Sequence, residues 1–452
     1  PNEVVFERNK KDRYYQTFGN KFHTYHLEDW VFQAPFAGEL LTRHFGTHSL
    51  KGFGIEDQIE ATIAAGAVLH YLSETQHERL QHISSISRID ATDHVWLDRF
   101  TQRNLELFYS TSENGKSLLQ VIDGTVTPMG SRLLKHWLAF PLLDFQTIET
   151  RQNGVSHFIN TSFERDLVTT QLKKIGDLER ITSRLSIGKL GPKEALQLAK
   201  SIDESIPISK ITLDSPIIET LLKGLNSCNE ASHLIKKTLQ TDPPALVSKG
   251  NVIANGINEE LDDLRIIAHT GKDYLLKIQE RESKATGISS LKIGFNNVFG
   301  YFLEVTNSHK DKVPDSWHRK QTLVNAERYI TEELKEYEQK ILGAEERIQA
   351  LELRIFNELL DSLLTYIPSI QTVARVLAEI DGLSSFAENA ITYSYCRPKI
   401  NKTHRIEIEA GRHPVIEREM PLGESYVPND ILLDRDAQQI IMLTGPNMAG
   451  KS

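Results

Sequence analysis

The sequence predicts a mainly α protein with α/β ends, and three observations carry that prediction. Its centre is a succession of helical patterns punctuated by Gly and Pro, two of them long enough to be arms. Between those two the hydrophobic period falls from the helical value to two. The last eight of its 452 residues, Gly445-Pro446-Asn447-Met448-Ala449-Gly450-Lys451-Ser452, follow a short apolar run. A strand leading into a glycine-rich loop is the start of an α/β unit.

In chain order, an Ala/Leu/Ile-rich helix is expected from Glu56 to Gln76, preceded by Gly52 and Gly54. Residues 128–140, 144–160, 192–204, 215–224 and 229–239 follow as helices, with breaks at Gly191-Pro192 and Asp242-Pro243-Pro244. Of the two arms, one runs from about Asn258 to Arg281 and the other from about Asn325 to Leu363. On the second, Leu334, Tyr337, Ile341, Ala344, Ile348, Leu351 and Ile355 alternate spacings of three and four. This is an a/d seam, the pattern by which one long helix packs along another. At 1.5 Å per residue the second arm would extend roughly 58 Å.

Between the arms, Leu291, Ile293 and Phe295 alternate with Lys292 and Gly294. Beyond Asn296-Asn297-Val298-Phe299-Gly300, Tyr301, Leu303 and Val305 alternate with Phe302, Glu304 and Thr306. A β-hairpin at the tip of a helical pair is the reading. Residues 284–320 set Lys284, Lys292, Lys310, Lys312, Arg319 and Lys320 against Glu304, Asp311 and Asp315, a surplus of three positive charges in a chain of net charge −9. With Asn296, Asn297, Asn307 and Ser308 beside them, these cations suit DNA phosphates, which position a protein without being read as sequence. By charge alone, a solvated tip explains the region equally well.

The C-terminal run Gln438-Gln439-Ile440-Ile441-Met442-Leu443-Thr444 is expected to be a strand of a buried parallel sheet. The octet after it fits G-x-x-x-x-G-K-[ST], whose backbone N–H groups cradle nucleotide phosphates. Gly445 and Gly450 admit the phosphate, Lys451 supplies its point charge, and Ser452 offers a hydroxyl ligand for Mg²⁺. A plain glycine turn would not account for Lys and Ser after the second glycine. Because a helix N-terminus completes such an anion site, the chain is expected to be an internal portion of a longer protein. It is also expected to be inactive as an ATPase by itself.

Composition excludes several classes. Apolar content of 39% and charged content of 25% are ordinary for a globular chain. No apolar run approaches the roughly 20 residues of a membrane helix, and nothing resembles a signal peptide. Two cysteines, Cys228 and Cys396, cannot make a disulfide framework and fit a reducing cytoplasm. His77 and His82 stand five apart, so on a helix they point to different sides and do not form a zinc pair.

Four segments together carry a family resemblance: GPNMAGKS at Gly445–Ser452, QTLVNAERYITEELKEY at Gln321–Tyr337, VTPMGSRLLKHWL at Val126–Leu138 and GRHPV at Gly411–Val415. The chain resembles, along essentially its whole length, the MutS family of DNA mismatch-repair ATPases, most strongly its bacterial members. The resemblance implies the end of an RNase-H-like connector domain at 1–80 and a core with lever helices at 81–267 and 328–390. A clamp domain would be inserted at 268–327, and an ABC-type ATPase domain would begin at 391–452. It implies ATP/ADP and Mg²⁺ as cofactors, with the octet 445–452 on the phosphates and Tyr426 stacked on adenine. It further implies a cytoplasmic, nucleoid-associated homodimer closing on mismatched or looped duplex DNA. A MutL-type partner, and a replication sliding clamp, would be recruited. Lys292, Asn296, Asn297, Asn307, Lys310, Lys312, Arg319 and Lys320 would touch DNA. The family's N-terminal mismatch-binding domain, with its Phe-x-Glu element, is not in this sequence. A recombination-type relative, or an unrelated coiled-coil P-loop ATPase acting in protein assembly, would share many of these features.

Overall fold

The computed structural model describes residues 3–442 and 444, except 54, 56, 77–79, 81, 87–93, 114, 297–299 and 422. Helix dominates. The chain opens with β1 (Glu3–Glu7), α1 (Lys11–Phe18), β2 (His23–Leu27), α2 (Ala34–Phe45) and α3 (Ile59–Gln76). Then come α4 (Arg99–Asn104), α5 (Leu118–Ile122), α6 (Pro128–Ala139), α7 (Phe145–Asn160), α8 (Ser162–Leu172), α9 (Leu178–Ser186), α10 (Pro192–Ser205), α11 (Pro216–Thr238) and α12 (Glu259–Thr286). Strands β3 (Lys292–Asn296), β4 (Gly300–Thr306), β5 (His318–Thr322) and β6 (Ala326–Ile330) precede α13 (Glu332–Leu363) and α14 (Ile367–Tyr393). The end holds β7 (Arg405–Gly411), α15 (Pro414–Glu419) and β8 (Asn429–Asp434). No helix among the described residues is long and apolar enough to cross a membrane.

Two compact units result, one of Pro1–Ser183, Ser201–Cys228 and Ile367–Ser452, the other of Arg184–Lys200 and Asn229–Tyr366. In the first, β1 and β2 pair in parallel with Glu3 opposite His23, and α2 packs on α3 around Leu41, Leu50, Ile55 and Leu69. Further along, α14 packs against α6, α7 and α8. Asp381 of α14 is buried and caps the turn before α6. Its carboxylate accepts from the backbone N–H of Val126 (3.0 Å) and Thr127 (2.9 Å) and from the Thr127 hydroxyl (2.6 Å). Thr127 in turn accepts from Gly130 N–H as the N-cap of α6, with Pro128 at the first helical position. α7 begins equally locally, on Asp144 accepting from Thr147 N–H at 2.8 Å.

In the second unit, α12 packs along α13. Of the expected seam, Leu334, Ile341, Ala344, Leu351 and Ile355 are buried, and Tyr337 and Ile348 are half-buried. At one end of the helices, Arg265 of α12 donates to Glu352 of α13 (2.6 Å), to the Ile253 carbonyl (2.7 Å) and to Asn255 (2.9 Å). Glu352, which is fully buried, also accepts from Val252 N–H at 3.2 Å. One ion pair thus fastens the 250–256 loop to both arms.

Three expectations need correction. The second arm starts at Glu332, not near 325, because residues 326–330 form β6, paired on both sides, and Thr331 caps the helix by accepting from Leu334 N–H. The helices expected at 215–224 and 229–239 are one continuous helix, α11. Gly224 is no break. A Cβ there would stand 2.9 Å from Val373 Cγ2, so this glycine permits a close helix approach. Third, residues 439–442 are not part of a strand, and Gln438 makes only a single bridge to Asp434. A buried parallel strand draws its stability from neighbours on both sides, whereas Ile440, Ile441 and Met442 are exposed here.

Candidate nucleic-acid interface

The expected hairpin is present as β3 and β4, with Lys292 opposite Glu304 and Asn296 opposite Gly300. Sequence reasoning missed the other half of its sheet. β6 pairs antiparallel with β4, and β5 with β6, giving the order β3-β4-β6-β5. The signal was there, since Ala326, Arg328 and Ile330 alternate with Glu327 and Tyr329, but the charged run behind it reads as helix.

The sheet is rooted on the arms by one apolar cluster. Leu275 and Ile278 of α12 and Leu334 and Ile341 of α13 join Leu303, Val305, Trp317, Tyr329 and Ile330. Tyr274 and Tyr337 stack with ring centroids 4.1 Å apart. Glu333 accepts from the Tyr274 hydroxyl at 2.8 Å and pairs with Arg281. The arginine, with the tyrosine hydroxyl, holds the Glu333 carboxyl below its usual range. Arg328 spreads over the Phe302 ring at 4.1 Å while donating to Glu304 and Gln321.

Lys310 (2.9 Å) and Arg319 (3.4 Å) converge on the buried carboxylate of Glu327, which also accepts from the Tyr329 hydroxyl. Burial and that carboxylate push the Tyr329 phenol up to about 12. Lys292, Lys312 and Lys320 are exposed, as are Lys284 and Arg319 itself. Lys312 reaches the Gly287 carbonyl at 3.4 Å, near the end of α12. Asn307 is engaged in the fold, its side chain donating to the Val324 carbonyl at 2.8 Å and its N–H to that of Asn325. Asn296 ends β3, and Asn297 lies outside the described residues.

At the other end of the chain, the GRHPV segment is a joint. Arg412 donates to Glu417 (2.7 Å) and to the carbonyls of Tyr393 (2.8 Å) and Ser394 (2.9 Å) at the end of α14. His413 caps α15, accepting from Ile416 N–H. A Cβ on Gly411 would stand 2.8 Å from Ile408 Cγ2 and 3.0 Å from the Asn429 carbonyl, where the β7–β8 register shifts. Tyr426 is half-buried in the loop before β8. The phosphate-loop residues Gly445–Ser452 lie outside the described residues, and no group of metal-ligating side chains is assembled among those that are described.

Comparison with known proteins gives this arrangement a family. Residues 100–387 match the model of MutS domain III, and residues 1–84 that of MutS domain II. The chain belongs to the MutS family. It is 52% identical over its whole length to the DNA mismatch repair protein MutS of Flavobacterium johnsoniae and to that of Parabacteroides distasonis, and 50% identical to that of Bacteroides fragilis. It covers 52%, 52% and 53% of those proteins, so the chain spans about half the length of the curated relatives it matches.

Proposed function

We propose that this chain is the connector, core and clamp portion of a mismatch-repair protein, with the beginning of its ATPase domain. The four-stranded sheet rooted on α12 and α13 grips the phosphates of duplex DNA as part of a dimer. The observation that carries this reading is the exposed lysine set on a sheet anchored by a continuous apolar core to two long helices. Lys292, Lys312 and Lys320 make the first phosphate contacts, and Lys310 and Arg319 are held ready on Glu327. Phosphate contacts carry no base information, so discrimination of the mispair belongs elsewhere in the protein. Gly445–Ser452 would hold ATP and Mg²⁺, Lys451 at the phosphates and Ser452 at the metal, with Tyr426 beside the base. Bound nucleotide would supply the energy for a change in the clamp's state and for recruitment of a MutL-type partner. The half-buried Tyr426 ring, before β8, fits a stacking role.

Changing Lys292, Lys312 and Lys320 together to Gln tests the reading. Affinity for matched and mismatched duplex should fall by similar factors. The log–log salt slope should flatten by about 2.7, at roughly 0.9 for each phosphate no longer neutralised. Melting temperature should barely move, since exposed charges contribute little to stability. Wild-type affinity and salt slope in the triple variant would remove the sheet from the DNA interface.

A further inference from the structure

Glu327 collects three donors on one face of the four-stranded sheet. Its side chain keeps 5% of its exposure, and Lys310 Nζ, the Arg319 guanidinium and the Tyr329 hydroxyl all reach its carboxylate. The backbone brings them there. Glu327 and Tyr329 stand two apart on β6 and share a face, whereas Arg328 turns to the other, over Phe302 and onto Glu304. Arg319 of β5 lies directly opposite Tyr329 and so projects from the face that Glu327 occupies. Lys310 arrives from the short 3₁₀ helix Asn307–Lys312 that follows β4.

The charges do not balance. The Tyr329 hydroxyl and then Lys310 hold the Glu327 carboxyl below its usual range, so it is ionised at neutral pH. Two cations against one carboxylate leave the trio with a net charge of +1. Both cations stay within reach of a ligand, with 39% of the Lys310 side chain and 62% of the Arg319 side chain exposed. Neither is used up by its ion pair, since an ammonium carries three donors and a guanidinium five. A phosphate that approaches either one nevertheless meets the negative charge behind it.

We propose that Glu327 is a built-in counter-charge, through which Lys310 and Arg319 together neutralise one DNA phosphate instead of two. The inference rests on the reading of this sheet as a DNA interface. Glu327 itself touches no nucleic acid; it is a positioning residue that acts through the two cations. Because phosphate contacts carry no base information, the restraint limits how tightly the sheet holds duplex of any sequence.

The test follows binding of Glu327→Gln to matched duplex by fluorescence anisotropy over a range of salt, in a protein extended to the length of its relatives. The log–log salt slope should steepen by about 0.9, for one more phosphate neutralised. Its advantage over the wild type should therefore grow about eightfold for each tenfold fall in salt. Adding Lys310→Gln and Arg319→Gln leaves the trio uncharged, and the slope should drop to about 0.9 below that of the wild type. A purely structural Glu327 would not steepen the slope on removal. An unchanged or shallower slope in Glu327→Gln would overturn the proposal, as would a triple variant as steep as Glu327→Gln alone. The variant that changes Lys292, Lys312 and Lys320 separates the two levels. If it flattens the slope while Glu327→Gln fails to steepen it, only the counter-charge is wrong; if neither moves the slope, the sheet is not on DNA and both readings fall. Should Glu327→Gln fail to fold, Glu327→Leu, which removes the same charge, must show the same steepening.

Discussion

Removing Glu352 is the sharpest test of how the arms are held. Glu352→Ala deletes a fully buried carboxylate that Arg265 meets at 2.6 Å and Val252 N–H at 3.2 Å. Breaking a buried pair by removing one partner costs about 3–5 kcal/mol, because the other charge is left uncompensated. Two features place this case at the low end. The Arg265 side chain keeps about a fifth of its exposure, and its bonds to Ile253 and Asn255 and its 3.4 Å ion pair with Asp262 survive, so its charge is not left wholly unpaired. The orphaned Val252 N–H is itself buried and adds to the cost, at about 1–3 kcal/mol for such a donor, not fully additively. The expected destabilisation is therefore about 3–4 kcal/mol, measured by urea unfolding, with hydrogen exchange accelerated first at residues 250–256. The double variant Arg265→Met/Glu352→Leu should recover most of it, since well-packed apolar replacements of a buried pair are often neutral or stabilising. A Glu352→Ala effect under 1 kcal/mol, or a double variant no more stable than the single one, would show that this pair does not fasten the arms.

Other outcomes follow from individual interactions. Asp381→Asn should destabilise by about 1–3 kcal/mol, since the amide turns a donor toward Val126 or Thr127. It should also change the pH profile. Burial chiefly, opposed by the Thr127 and Val126 hydrogen bonds, raises the Asp381 carboxyl above its ordinary value. Its contribution is thus greatest below the ordinary pKa of about 3.9 and declines as pH rises through the folded value. Denaturation from pH 4 upward should show that downward component in the wild type and lack it in the variant. Gly411→Ala should cost about 1–3 kcal/mol by overpacking against Ile408 and the Asn429 carbonyl, with a melting temperature within a degree of wild type arguing against that crowding. Lys451→Ala, in a protein extended to the length of its relatives, should weaken equilibrium binding of a fluorescent ATP analogue without altering the far-ultraviolet dichroism. Unchanged affinity would disqualify the phosphate-loop assignment.

The features legible in the sequence are those fixed by local periodicity. The seam from Leu334 to Ile355 shows through because each buried residue recurs on one helical face, and the β3–β4 hairpin because its strands are adjacent in sequence. What failed depends on distant partners. Residues 326–330 become a strand because β4 and β5 flank them, an outcome invisible within the segment, whose charged continuation favours helix. The helices expected at 215–224 and 229–239 are one, and Gly224 lies within it against Val373. α14 offers no stripe at all, with Ile370, Val373, Ala374, Leu377, Ile380, Leu383 and Ala387 buried around most of its circumference. Among the basic residues between the arms, side-chain pairing is likewise invisible in the sequence. Only the fold shows that Lys310 and Arg319 share the buried Glu327 carboxylate.

The two cysteines have a practical corollary. Cys228 is buried, and burial pushes its thiol up to about 12, so almost none of it is thiolate at neutral pH. Cys396 is exposed and lines the cavity behind α14. A maleimide dye should therefore label the native chain once, at Cys396, with no cysteine engineered in or out. That position sits three residues past α14 and nine before β7, on the stretch that joins the helical core to the start of the C-terminal sheet. Fluorescence anisotropy from this native handle would report the local freedom of that stretch directly, in a sample whose sequence has not been touched.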